Sequence, residues 1–206
     1  MKKPIIHWSM WSAANSAMTA QQGVSLIMVM LIMVVVSMLG IGGVQIAMMA
    51  ERGSRNDRDM QIAFQAAEAA LIDAEFDITS KFTASKRVVN PFDKENATFL
   101  FLQDCGNSGD SLGLCAENPT GQVPAWLKVD FTDAATGAKT VEFGKFTGRA
   151  FPVGTVGIQP YKKPRYIIEL VNDYKNPGAS PFFRVTAMGF GPRPDIQVIL
   201  QTMYRN

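Results

Sequence analysis

The chain is poor in the residues that chemistry uses most. Its 206 residues include one histidine, His7, and two cysteines, Cys105 and Cys115. A single histidine so near the N-terminus leaves the rest of the chain without the commonest general base, and it leaves too few ligands for a zinc site. No glycine-rich phosphate loop is present, and no spacing of carboxylates marks an acid/base pair. Serine and lysine sit in contexts no different from surface polar residues, so catalysis is not expected. Charge is scarce as well. The formal net charge is +2, and Lys2 and Lys3 are the only charged side chains up to Gly23, so the remainder sums to zero. Such a chain has no basic field to gather nucleic acid. Lys162, Lys163 and Arg165, broken by Pro164, read as a solvated loop.

What the chain does have is one long apolar run. From Val24 no ionisable side chain occurs until Glu51. A helix of about 27 residues is roughly 40 Å long, which exceeds a hydrocarbon core of about 30 Å. The run is too long for a cleaved secretory signal, and no small-residue cleavage site follows it. Ahead of it, Gln21-Gln22-Gly23 closes a mildly amphipathic stretch. A peptidase at the cytoplasmic face could approach the backbone closely at Gly23 and leave the helix in the membrane. The alternative is a plain cytoplasmic tail. Trp8 and Trp11 suit a membrane interface before any such cleavage.

Charge does not settle the orientation, because Lys2 and Lys3 lead the run while Arg52, Arg55 and Arg58 follow it. The cysteines bear on it instead. Nine residues, including Gly106, Asn107, Gly109 and Gly113, separate Cys105 from Cys115. A disulfide closing this loop would stabilise by roughly 3 kcal/mol and needs an oxidising compartment, which places the C-terminal part outside the cytoplasm. Two free thiols are the alternative. Asp104, Asn107 and Asp110 offer oxygens, but their spacing departs from calcium loops and fits a polar disulfide loop.

Beyond the apolar run, Met60, Phe64, Ala67, Leu71, Ala74 and Ile78 recur at helical spacing, with Arg58, Gln65, Glu68, Asp73 and Glu75 on other faces. Gly40, Gly42 and Gly43 interrupt the apolar half, marking either cheap local unwinding or close helix packing. Short strands are expected at Trp126–Phe131 and Thr140–Phe143, around a turn at Thr136-Gly137. Three plainer strands, Arg165–Val171, Phe182–Met188 and Ile196–Tyr204, are divided by Asn176-Pro177-Gly178 and Gly191-Pro192-Arg193-Pro194. On the last strand, Ile196, Val198, Leu200, Thr202 and Tyr204 share one face. The helix stripe Phe64, Ala67, Leu71 and Ala74 would cover the sheet. The expected organisation is a leader at 1–23, a transmembrane helix at 24–50, its amphipathic continuation at 51–80 and an α+β head at 81–206. The head is one domain, its helix packed on a C-terminal antiparallel sheet.

These features resemble a type IV pilin. Ala63-Phe64-Gln65-Ala66-Ala67-Glu68-Ala69-Ala70-Leu71, Arg184-Val185-Thr186-Ala187 with Gly189, and Val198-Ile199-Leu200-Gln201 are similar to the PilX group of minor pilins. The resemblance covers about the first 75 and last 25 residues. It implies cleavage after Gly23 by a prepilin peptidase, N-methylation of Val24 and extraction of the helix from the inner membrane into a surface filament. It also implies other minor pilins, the major pilin, a tip adhesin and the inner-membrane assembly platform as partners, with no cofactor or metal. Two positions depart from the pilin pattern. Major pilins carry a glutamate where this chain has Met28, and Gln22 stands where leaders commonly have a basic residue. A subunit lacking that glutamate suits a place with no neighbour above it, such as the tip or the priming complex. A type II secretion pseudopilin, or a single-pass periplasmic binding protein that never enters a filament, are the alternatives.

Overall fold

A computed structural model describes residues 24–79, 87–93, 96–119, 121–154, 156–172 and 182–205. Gly23, the tryptophans of the leader and Asn176-Pro177-Gly178 lie outside them. One helix, α1, runs from Val24 to Thr79 without a break. Alanine and straight-chain residues favour its second half, whereas the apolar half, rich in valine and isoleucine, is helical without that preference and passes through Gly40, Gly42 and Gly43 as regular helix. A Cβ at any of the three would meet nothing within 4 Å, so no packing inside the subunit requires glycine there. The chain divides into two compact units, between Ala50 and Glu51.

In the second unit, the short helix α2 (Ala97–Leu100) precedes the sheet and a second, α3 (Ala125–Lys128), lies between its first two strands; the strands are β1 (Leu114–Ala116), β2 (Val141–Glu142), β3 (Arg165–Val171), β4 (Phe182–Phe190) and β5 (Gln197–Arg205). The order is β1-β3-β4-β5, and β2 also pairs β3. The β3-β4-β5 meander is antiparallel as expected, with Ile168 opposite Val185 and Val185 opposite Thr202. The sheet as a whole is mixed, because β1 joins β3 in parallel through Cys115 opposite Glu169. The strand expected at Trp126–Phe131 is instead α3 followed by an extended residue, Val129. Pro124 starts that helix with a fixed φ, and the Glu169 carboxylate accepts the Ala125 N–H at 3.2 Å, where the peptide dipoles favour an anion.

Helix α1 buries a stripe of small residues, Ala63, Ala66, Ala67, Ala70 and Ala74, with Ile78 at its end. Ala70, Ala74 and Ile78 meet Tyr166, Ile168, Val185 and Ala187 on one face of the sheet. Ala67 and Ala74 lie on this stripe. Phe64 and Leu71 lie on its flank: Phe64 is 43% exposed and Leu71 only half-buried. The reason is the closeness of the approach. A Cβ built on Gly189 of β4 would stand 2.0 Å from the Ala63 carbonyl oxygen and 2.3 Å from the Ala67 nitrogen. At that separation only methyl groups fit between helix and strand, and larger side chains are turned aside.

Asp73, expected on a solvent face, is fully buried, and so is Asp77 one turn further on. The two carboxylates share one side of α1, four residues apart, a pairing the sequence reading passed over. On the opposite face of the sheet Ile167, Met188 and Phe190 pack with Ala125, Phe131 and both cysteines. Thus β3 and β4 are covered on both sides.

Candidate assembly surfaces

The first surface is the apolar half of α1. Val24 and Met28 are 63% and 66% exposed, and the large apolar side chains from Leu26 to Met49 stand open as well. The segment is long and apolar enough to cross a membrane. An apolar surface of this extent is stable in water only if lipid or other helices cover it. Met28 offers a thioether and no charge, so nothing at that position could pair with an amine.

The second surface is the disulfide loop, held from inside the head. Cys105 and Cys115 are bonded, and both are buried against α3 and β3. Asp110, one of the candidate calcium ligands, uses its carboxylate to accept the N–H groups of Val88 and Val89, each at 2.9 Å. Among the described residues no group of His, Cys, Asp and Glu is arranged to hold a metal ion.

Arg87 is the link between loop and helix. Its guanidinium is fully buried and donates to both oxygens of Asp77 at 2.8 to 3.1 Å. It also donates to the carbonyls of Asp110 and Leu112 and lies 3.6 Å from the centroid of the Phe146 ring. Tyr166 of β3 donates its hydroxyl to Asp77 at 3.3 Å. Burial first, then the Asp77 charge, holds the Tyr166 hydroxyl well above its ordinary pKa, so it stays a donor. Sequence reasoning missed Arg87 and Tyr166. The available signal was the i, i+4 spacing of Asp73 and Asp77 on the alanine side of α1, since two carboxylates on a packed stripe demand buried partners.

Asp73 has a different solution. Its carboxylate accepts from the Gly144 N–H at 2.8 Å and from the Thr147 hydroxyl, with Arg149 3.6 Å away. Burial nevertheless raises its pKa from the ordinary 3.8, more than these hydrogen bonds and the Arg149 charge lower it. The folded state therefore holds the Asp73 proton more tightly than the unfolded state. Its contribution to stability is complete below about 3.8 and is lost as pH rises through the raised value. Asp73→Asn keeps an acceptor but cannot ionise, so urea unfolding of the full-length protein in micelles should show less loss of stability between about pH 4 and pH 7 than the parent. An identical pH slope in the two proteins would contradict this account.

The third surface is β5. Beneath it, Glu169 and Arg184 pair across β3 and β4 at 2.8 and 3.0 Å. This hydrogen-bonded carboxylate raises the Arg184 pKa. Val198, Leu200, Thr202 and Tyr204 do face α1, as their alternation predicts, while Ile199 and Met203 on the other face are about half exposed.

One catalytic pattern also escaped the sequence reading. Gly109-Asp110-Ser111-Leu112-Gly113 matches G-x-S-x-G. That pattern marks a nucleophile only on a strand-to-helix elbow beside a base. Here the segment is a single 3₁₀ turn, and Ser111 donates its hydroxyl to the Ser108 carbonyl at 2.9 Å. Asp110, next to it, is engaged by Val88 and Val89 as described.

A long apolar helix that continues into an α+β head, its second half laid on a meander closed by a disulfide loop, is the fold of a type IV pilin-like subunit. Residues 22–71 match the PilX N-terminal family and residues 111–206 match the type IV pilus assembly protein PilX C-terminal family, together most of the chain. The protein belongs to the PilX family of type IV pilus assembly proteins. Comparison with curated proteins and with solved structures finds no match.

Proposed function

We propose that this subunit is a minor pilin that primes or supports assembly of a type IV pilus and is incorporated at or near its tip. In this reading the leader 1–23 is removed after Gly23 and Val24 is N-methylated. Before assembly the protein is a single-pass inner-membrane protein with a periplasmic head, and afterwards it is part of the surface filament. The observation that carries the reading is the apolar half of α1, whose large side chains stand exposed in the subunit, with methionine at position 28. Side-chain packing against other pilin helices would bury that surface, in the way small and apolar residues drive helix association in lipid. Without a carboxylate at Met28 the subunit gains nothing from the amine of a pilin above it, which suits a terminal position. Gly40, Gly42 and Gly43 would then serve either local unwinding on entry or close approach of a neighbouring helix. The head, by its disulfide loop and β5, would meet other minor pilins, the major pilin or a tip adhesin, and the prepilin peptidase and assembly platform would act on it first.

Mass spectrometry of the N-terminal peptide, from sheared filaments and from residual membranes, tests this. N-methylated Val24 is expected in the filament fraction. Intact Met1 confined to membranes would overturn the reading and leave an anchored envelope protein.

A further inference from the structure

We propose that the free side of β5 and the groove beside it seat an extended segment of another polypeptide as an added strand, whose inward side chains combine apolar residues with lysine or arginine. The inference rests on reading the head as the docking part of the subunit, and it names the chemistry of the partner.

The first observation is that cover on the helix side of the sheet stops at β4. Phe183, Val185 and Ala187 are at most 1% exposed. Their cross-strand partners on β5 are Tyr204, Thr202 and Leu200, and these are half-buried or exposed. A strand face patterned for a core is therefore left half open. The second observation is on the helix. Glu68, Leu71 and Glu75, at i, i+3 and i+7, run down the flank of α1 that lines this opening. Between helix and strand lies a groove of about 360 Å³, with Leu71, Val185 and Tyr204 among its walls and Glu68 and Glu75 on it as well.

The third observation is the edge itself. Strand β5 pairs β4 over all nine of its residues, from Phe182 opposite Arg205 to Phe190 opposite Gln197. Among the described residues it has no pairing on its other side. A long edge without an inward charge, bulge or proline is a template for another strand. A strand added there would run about 4.8 Å from β5, and every second side chain would enter the groove. Apolar side chains would extend the contact with Leu71 and Tyr204. The exposed carboxylates of Glu68 and Glu75 would favour lysine or arginine at the inward positions beside them.

The same charges argue against a second copy of this chain. Pairing β5 with itself would present Val198, Leu200, Thr202 and Tyr204 to the groove, none of them basic, and would leave both glutamates without a counter-charge.

The test uses the full-length protein in detergent micelles and a labelled nine-residue peptide. Threonine occupies the odd positions of the peptide, and lysine, valine, lysine and valine occupy the even ones, so that the lysines stand about 13 Å apart against roughly 10 Å between Glu68 and Glu75 along the helix. A control peptide carries glutamate for lysine. Fluorescence anisotropy should show the lysine peptide binding at least about tenfold more tightly than the control, with slower hydrogen exchange at β5 amides. Glu68→Lys/Glu75→Lys should reverse the preference between the peptides. Absence of binding, a preference that survives the charge reversal, unaltered exchange on β5, or self-association through β5 that excludes the peptide would each overturn the proposal. None of these outcomes bears on N-methylation of Val24, so failure here is distinguishable from failure of the minor-pilin reading.

Discussion

Replacing Arg87 by alanine is expected to destabilise the head by roughly 3 to 5 kcal/mol, the range for removing one partner of a buried ion pair. The side chains of Arg87 and Asp77 are both fully buried. Truncation would leave the Asp77 carboxylate in a low-dielectric site without the opposing charge that makes its burial tolerable. It would also leave the Asp110 and Leu112 carbonyls without their donor and open a cavity against the Phe146 ring. A domain of this size is stable by about 5 to 15 kcal/mol, so the loss is a large part of the whole. The damage should be directional: hydrogen exchange should rise first in the disulfide loop and at β1, which the guanidinium ties to α1. The double variant Arg87→Met/Asp77→Leu should recover much of the loss, because it removes both charges and fills the volume. Thermal and urea unfolding of the three proteins decides the matter. A loss below about 1 kcal/mol for Arg87→Ala, in the range of an exposed pair, would show that the ion pair is not what holds loop to helix.

How much of this was legible in the sequence depends on whether a feature is periodic. The meander was legible: β3 has the bounds expected of it, and β4 and β5 differ from theirs by one or two residues, because alternation and proline-glycine breaks are local signals. The helix was legible for the same reason. Its packed face was legible only in part, since size misleads there. Phe64 looks like core because it is large, yet it is exposed, and Leu71 packs only at the margin of the cluster, because the contact is so close that alanine owns its centre. Asp73 looked solvent-facing because it is charged, yet its partners Thr147, Gly144 and Arg149 lie more than 70 residues away in sequence. Strand β1 was not read because three residues, Leu114–Ala116, carry no period. Parallel pairing with β3 creates it, and that pairing is a fact of tertiary structure.

The second large effect is expected at Gly189, where alanine should be damaging although it adds a single methyl group. The contact atoms in α1 are backbone: the Ala63 carbonyl oxygen at 2.0 Å, the Ala67 nitrogen at 2.3 Å and the Ala66 carbonyl carbon at 3.0 Å. No rotamer change relieves a clash with backbone, so either β4 or α1 must move away. Overpacking of a core typically costs about 1 to 3 kcal/mol when side chains can adjust. Here they cannot, and the cost should exceed that range. Displacing α1 would also loosen Ala63, Ala66, Ala67 and Ala70, so the variant should lose exchange protection along the whole contact. Ala63→Gly should fail to rescue Gly189→Ala, because deleting the Ala63 methyl leaves its carbonyl oxygen in place. If Ala63→Gly did restore stability, the close approach would be one between side chains, and the account of why alanine lines this helix would be wrong. Gly40→Ala, Gly42→Ala and Gly43→Ala serve as the control within the same helix. Open space surrounds each of them in the subunit, so each should leave the head unchanged and strengthen the helix by up to about 1 kcal/mol. The contrast separates a glycine required by the fold of the subunit from glycines that only its assembly could require.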